Sequence, residues 1–77
     1  MSLSLDQLQA FAAAAETGSF SAAARQLGKA QSVISAAVAN LEVDLDTTLF
    51  DRSARYPVLT PAGERLLLEA RVILERC

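Results

Sequence analysis

The stretch Gly18-Ser19-Phe20-Ser21-Ala22-Ala23-Ala24-Arg25-Gln26-Leu27-Gly28-Lys29-Ala30-Gln31-Ser32-Val33-Ile34-Ser35 contains two helix starts with a hard stop between them. Ser19 or Ser21 can cap a short helix through Ala22 to Leu27, because a hydroxyl oxygen accepts from the otherwise unpaired first-turn amides. Gly28 then supplies the left-handed residue that ends it. After a turn of a few residues a second helix starts near Gln31, with Ile34, Val38, Leu41 and Leu45 spaced by four, three and four. That spacing buries one stripe and turns Gln31, Ser32, Ser35, Ala36 and Ala39 outward. Ala24, Gly28 and Ile34 stand where a DNA-binding helix-turn-helix wants a small residue for helix crossing, a turn-former and a buried branched aliphatic.

Outward from this unit, Ser4-Leu5-Asp6-Gln7 reads as a capping box. Leu5, Leu8, Phe11, Ala12 and Ala15 follow at helical spacing, so a first helix is expected to about Thr17, stopped by Gly18. Downstream, Phe50-Asp51-Arg52 and Pro57-Val58-Leu59 are β-prone and separated by Ser53-Ala54-Arg55-Tyr56, the pattern of a hairpin wing with an edge strand at Pro57. Thr60-Pro61 is an N-cap followed by proline at the first helical position, and no further breaker occurs before Cys77. The expected fold is therefore mainly α: a winged helix-turn-helix with a three-helix core and a short β-hairpin wing over residues 1–59, then a long C-terminal linker helix over 60–77.

That last helix carries Leu66, Leu67, Leu68, Ala70, Val72, Ile73 and Leu74, more apolar surface than one packed face needs. The surplus is read as a dimer interface built from Leu66, Leu67, Ala70, Ile73 and Leu74; packing on the remainder of a longer chain is the alternative. A second copy also suits the size, since 77 residues make one small domain with a thin, alanine-rich core.

The chain has no His and a single Cys, so Ser-His and Cys-His nucleophile pairs are excluded, and zinc would have to be held by carboxylates alone. No enzyme activity, metal, cofactor or small-molecule site is expected. Cys77 cannot form an internal disulfide, which fits a reducing compartment. No run approaches the roughly 20 apolar residues of a membrane span, and Met1-Ser2-Leu3-Ser4 has no basic leader character; a soluble, cytoplasmic protein without membrane contact is expected.

The outward start of the third helix is the candidate reader of base edges. Gln31 can pair with adenine, the hydroxyls of Ser32 and Ser35 can serve a base or a phosphate, and Val33 or Ala36 can touch a thymine methyl. Arg52 and Arg55 in the wing can clamp phosphates or enter a minor groove, Lys29 adds a cation in the turn, and Ser19, Ser21 and Thr60 can bond phosphates from helix starts. The net charge of −2 opposes DNA affinity. Four of its nine acids, Glu42, Asp44, Asp46 and Asp51, cluster beyond the reading face, while Lys29, Arg52 and Arg55 bracket it. Few cations mean few phosphate contacts per chain, so binding leans on pairing of two copies.

With these residues in place, the chain resembles the N-terminal winged helix-turn-helix of LysR-type transcriptional regulators over about residues 5–76. The resemblance rests on Gly18-Ser19-Phe20 with Ala23-Ala24, Gln31 with Ser35, Leu41-Glu42, Leu49-Phe50 with Arg52, and Leu59-Thr60 with Ala62-Gly63. It implies DNA contacts at Gln31, Ser32, Ser35, Arg52 and Arg55, and a helix after Thr60 that pairs antiparallel in a homodimer reading an inverted-repeat operator. It further implies a separate effector domain, not in this chain, and a bacterial regulator that positions or blocks RNA polymerase. The chain departs from the pattern in carrying Ala36 where a basic residue is frequent, Lys29 where an aliphatic is, and Asp46 where glycine is usual. The loss at Ala36 weakens guanine readout, and Asp46 must end its helix in a less comfortable conformation. The rival readings are the winged helix of molybdate-responsive regulators, disfavoured by Leu49-Phe50-Asp51-Arg52, and a protein-interaction module that kept the fold with little DNA affinity.

Overall fold

Each helix begins and ends where a local backbone need is met. In the computed structural model, which describes residues 4–53 and 57–75, α1 (Leu5–Thr17) starts at Ser4. The Ser4 hydroxyl accepts from the Gln7 amide at 3.1 Å, and Gln7 Oε1 accepts from the Ser4 amide at 3.3 Å, the expected capping box. Gly18 ends α1 in the left-handed region at φ 72°. α2 (Phe20–Leu27) is capped by Ser19 and closed by Gly28 at φ 67°, and α3 (Gln31–Leu45) follows two residues later. A helix end at Gly28 needs this conformation, which a side chain disfavours. Asp46 adopts it too, at φ 52°, the only described non-glycine residue with positive φ, as expected from its departure from glycine.

The wing is shorter than its β-prone sequence. β1 (Phe50–Asp51) pairs antiparallel with β2 (Val58–Leu59), Phe50 opposite Leu59 and Asp51 opposite Val58; Arg52 and Pro57 lie outside the ladder. α4 (Pro61–Glu75) begins on Thr60, whose hydroxyl accepts from the Gly63 amide at 3.1 Å and donates to the Thr48 carbonyl at 2.7 Å.

The core is built from α1 outward. Phe11, Ile34, Val38, Leu41 and Leu49 are fully enclosed, and Ala10 to Ala14, Ala23 and Ala24 let the helix axes approach closely. Leu45, expected in the buried stripe of α3, is only half-buried at its end, packed on this cluster. Phe50 closes the wing side, its ring 5.6 Å from Phe11 and 5.5 Å from Phe20, in tilted and edge-on arrangements. α4 lies against α1, linked at the surface by the Arg71–Glu16 ion pair at 3.0 Å.

This packing shows how much of the interface expected on α4 one copy leaves open. Leu67 and Ala70 belong to the chain's own core, at 9% and 0% exposure, so they are spent inside one copy. Leu66 and Leu74 are half-buried against the same core, and only Ile73 of the expected set is exposed. The open apolar surface of α4 is instead Leu68, Val72 and Ile73, which adjoin one another beside Glu69. No described helix is long and apolar enough to cross a membrane.

Candidate nucleic-acid interface

The helix-turn-helix is closed by local hydrogen bonds and buried small residues. The Ser19 hydroxyl accepts from the Ala22 amide at 3.2 Å, and the turn closes with the Lys29 amide donating to the Ala24 carbonyl at 2.9 Å. Buried Ala23, Ala24 and Ile34 fix α2 against α1 and α3, so α3 has one orientation relative to the rest.

The expected reading residues come together on the first turns of α3. Gln31, Ser32, Val33 and Ala36 are exposed and Ser35 is half-buried at the rim of the face; Ala39 and Asn40 continue it. Val33 stands out, half exposed at 50% on a surface otherwise made of hydroxyls, amides and methyl groups. The N-cap of α3 is Ala30, which gives no side-chain acceptor to the first-turn amides, whereas Ser4 and Ser19 do so for α1 and α2. The positive end of α3 therefore faces solvent with backbone donors for an incoming anion.

Around this face the described cations differ in freedom. Lys29 is exposed in the turn. Arg25 donates to the Ser21 hydroxyl at 3.1 Å, so Ser21 sits beside a guanidinium. Arg52 is tied to the base of the wing: its guanidinium lies 5.2 Å over the Phe20 ring, and its Nη2 is 3.9 Å from Glu42 Oε1. With half of its side chain still exposed, Arg52 is an oriented cation beside α2 and α3 rather than a loose one at a tip. Arg55 lies outside the described residues. Thr60, expected at a phosphate, gives its one hydroxyl proton to the Thr48 carbonyl in this structure.

Two residues of the family pattern have structural roles that the sequence reading did not assign them. Glu42, read as part of an acidic cluster, accepts through Oε2 from the Leu49 amide at 2.7 Å and the Phe50 amide at 3.2 Å, clamping the entry to the wing onto α3. Phe20 provides the platform under Arg52. The signal in the sequence for both was their place in the family pattern, Gly18-Ser19-Phe20 and Leu41-Glu42, which marks the residues without saying what they touch. Asp51 is likewise structural: Oδ1 accepts from the Ser53 hydroxyl at 2.6 Å and the Ser53 amide at 2.9 Å. Those bonds, the hydroxyl first, hold the Asp51 carboxyl below its usual range. Among the described residues no group of His, Cys, Asp or Glu is placed to hold a metal ion.

Comparison with known proteins places this architecture. Residues 5–64 match the family described as bacterial regulatory helix-turn-helix protein, lysR family. The chain is 51% identical to the HTH-type transcriptional regulator AceR of Acinetobacter baumannii over 76 residues, 99% of the chain and 23% of that protein. A crystal structure of the CbnR DNA-binding domain in complex with DNA superimposes with TM-score 0.89 at 42% identity, covering 95% of the chain and 84% of that domain. A complex of the BenM DNA-binding domain with catB site 1 DNA does so with TM-score 0.92 at 34% identity, over 96% and 83%. The chain spans about a quarter of the length of the curated relatives it matches. The match over most of its length, on the fold and turn geometry described above, makes this chain a member of the lysR family of bacterial regulatory helix-turn-helix proteins.

Proposed function

We propose that the chain is a sequence-specific binding domain for double-stranded DNA, which engages an inverted-repeat operator as a homodimer. The observation that carries this reading is the exposed, polar and uncharged first face of α3, held rigidly at the edge of a helix-turn-helix. An α-helix fits the major groove, where each base pair presents a distinct edge. Gln31, Ser32, Val33, Ser35 and Ala36 face the bases. Ser19, Ser21, Lys29, Arg52 and Arg55 contact phosphates or the minor groove, with the exposed first-turn amides of α3 serving the same end. The likeness to DNA complexes of CbnR and BenM domains supports this assignment.

The division at residue 60 is one of role, residues 60–77 serving dimerisation, since α4 shares the core with α1. The pairing surface is the open stripe Leu68, Val72 and Ile73, with half-buried Leu66 and Leu74 beside the core. Two copies related by a two-fold axis present two α3 helices, which an inverted repeat matches. In the longer regulator the remaining sequence carries the effector domain, and the bound dimer positions or blocks RNA polymerase in the cytoplasm. No cofactor enters this function.

Selection of duplexes from random DNA tests the reading. The expected product is a pair of inverted half-sites, and Gln31→Ala relaxes preference at one position of each. Uniform weak binding to all duplexes would overturn it in favour of a protein-interaction module.

A further inference from the structure

Resting on the reading of α3 as the helix that meets the bases, we propose that its surface selects A·T pairs and recognises the 5-methyl group of a thymine through Val33. Val33 lies in the first turn of α3 and is half exposed, an unpartnered branched aliphatic among polar and small neighbours. In the major groove of unmodified DNA only thymine presents a methyl group; the other bases offer mainly donors and acceptors there. Seated on a thymine methyl, Val33 removes apolar surface on both sides. Seated on any other base edge, it strips water from a polar group and returns no hydrogen bond.

The charges near the helix lead the same way. From Gln31 to Leu45 there is no Lys or Arg, so α3 has no guanidinium for the two-bond contact to guanine O6 and N7. The described arginines nearby are occupied, Arg25 on Ser21 and Arg52 between Phe20 and Glu42, while Lys29 precedes the helix in the turn. The two-bond partner α3 does offer is the exposed Gln31 amide, a donor and an acceptor that match adenine N6 and N7. Ala36 and Ala39 keep the centre of the face shallow, so Val33 is not held away from the groove floor by longer neighbours.

The test uses the preferred duplex recovered from random DNA and replaces its thymines by deoxyuridine one at a time, which removes the methyl group alone. We expect one thymine in each half-site whose replacement weakens binding about fourfold. Val33→Ala should bind the thymine and uracil duplexes equally, while Gln31→Ala keeps the difference between them. A uracil scan without effect at every position overturns the proposal and leaves DNA recognition by α3 standing, as does full methyl sensitivity in Val33→Ala. Failure of any duplex to be preferred overturns the DNA reading itself, and this inference with it.

Discussion

Glu42 receives two backbone amides and faces one guanidinium, so its removal has a defined cost. Glu42→Ala leaves the Leu49 and Phe50 amides without their acceptor in a half-buried site. It should destabilise the fold by about 1–3 kcal/mol in chemical denaturation. Asp46 gives the opposite sign: its positive φ carries strain that glycine relieves, partly offset by the freedom glycine gains when unfolded. Asp46→Gly should raise stability by up to about 1 kcal/mol, and a loss on denaturation would contradict the strain argument. Asp51 supplies the pH-dependent contribution. Its folded carboxyl is depressed by Ser53, so the contribution is present above the unfolded value near 3.8 and fades as pH falls through the lower folded one. The NMR titration midpoint of Asp51 should rise in Ser53→Ala.

At the scale of elements, what was legible in the sequence follows from what is local. The capping box at Ser4, the stops at Gly18 and Gly28 and the strained end at Asp46 each depend on a few consecutive residues, and all appear as read. The burial of Leu67 and Ala70 depends on where α1 lies, which the periodicity of α4 alone does not specify. The same is true of Arg52, whose position is set by Phe20, thirty-two residues earlier, and by Glu42. The close seat of α4 has its own residue. A methyl group on Gly63 would collide with the Leu49 carbonyl oxygen and the Leu59 side chain, so Gly63→Ala should cost about 1–3 kcal/mol and disturb the wing signals in NMR spectra. A charge on the open stripe tests the other side of α4. Val72→Asp should leave the monomer fold intact by circular dichroism while shifting sedimentation from dimer to monomer.

The whole molecule resolves the conflict between an acidic chain and a nucleic-acid partner by separating functions in space. With a net charge of −2, general attraction to DNA is weak, and affinity has to come from base contacts and, in the proposed homodimer, from pairing of two copies. Each phosphate contact changes the logarithmic salt slope by about 0.9, so Lys29→Gln, lost from both copies, should flatten it by about 2. The central claim is that α3 reads sequence rather than charge. It is tested most directly by the affinity of the chain, at physiological salt, for its selected inverted-repeat duplex relative to a scrambled duplex of equal composition. The account predicts a preference on the order of a hundredfold or more, collapsing toward that of scrambled DNA when Gln31 and Val33 are both replaced by alanine. Equal affinity for the two duplexes would contradict it.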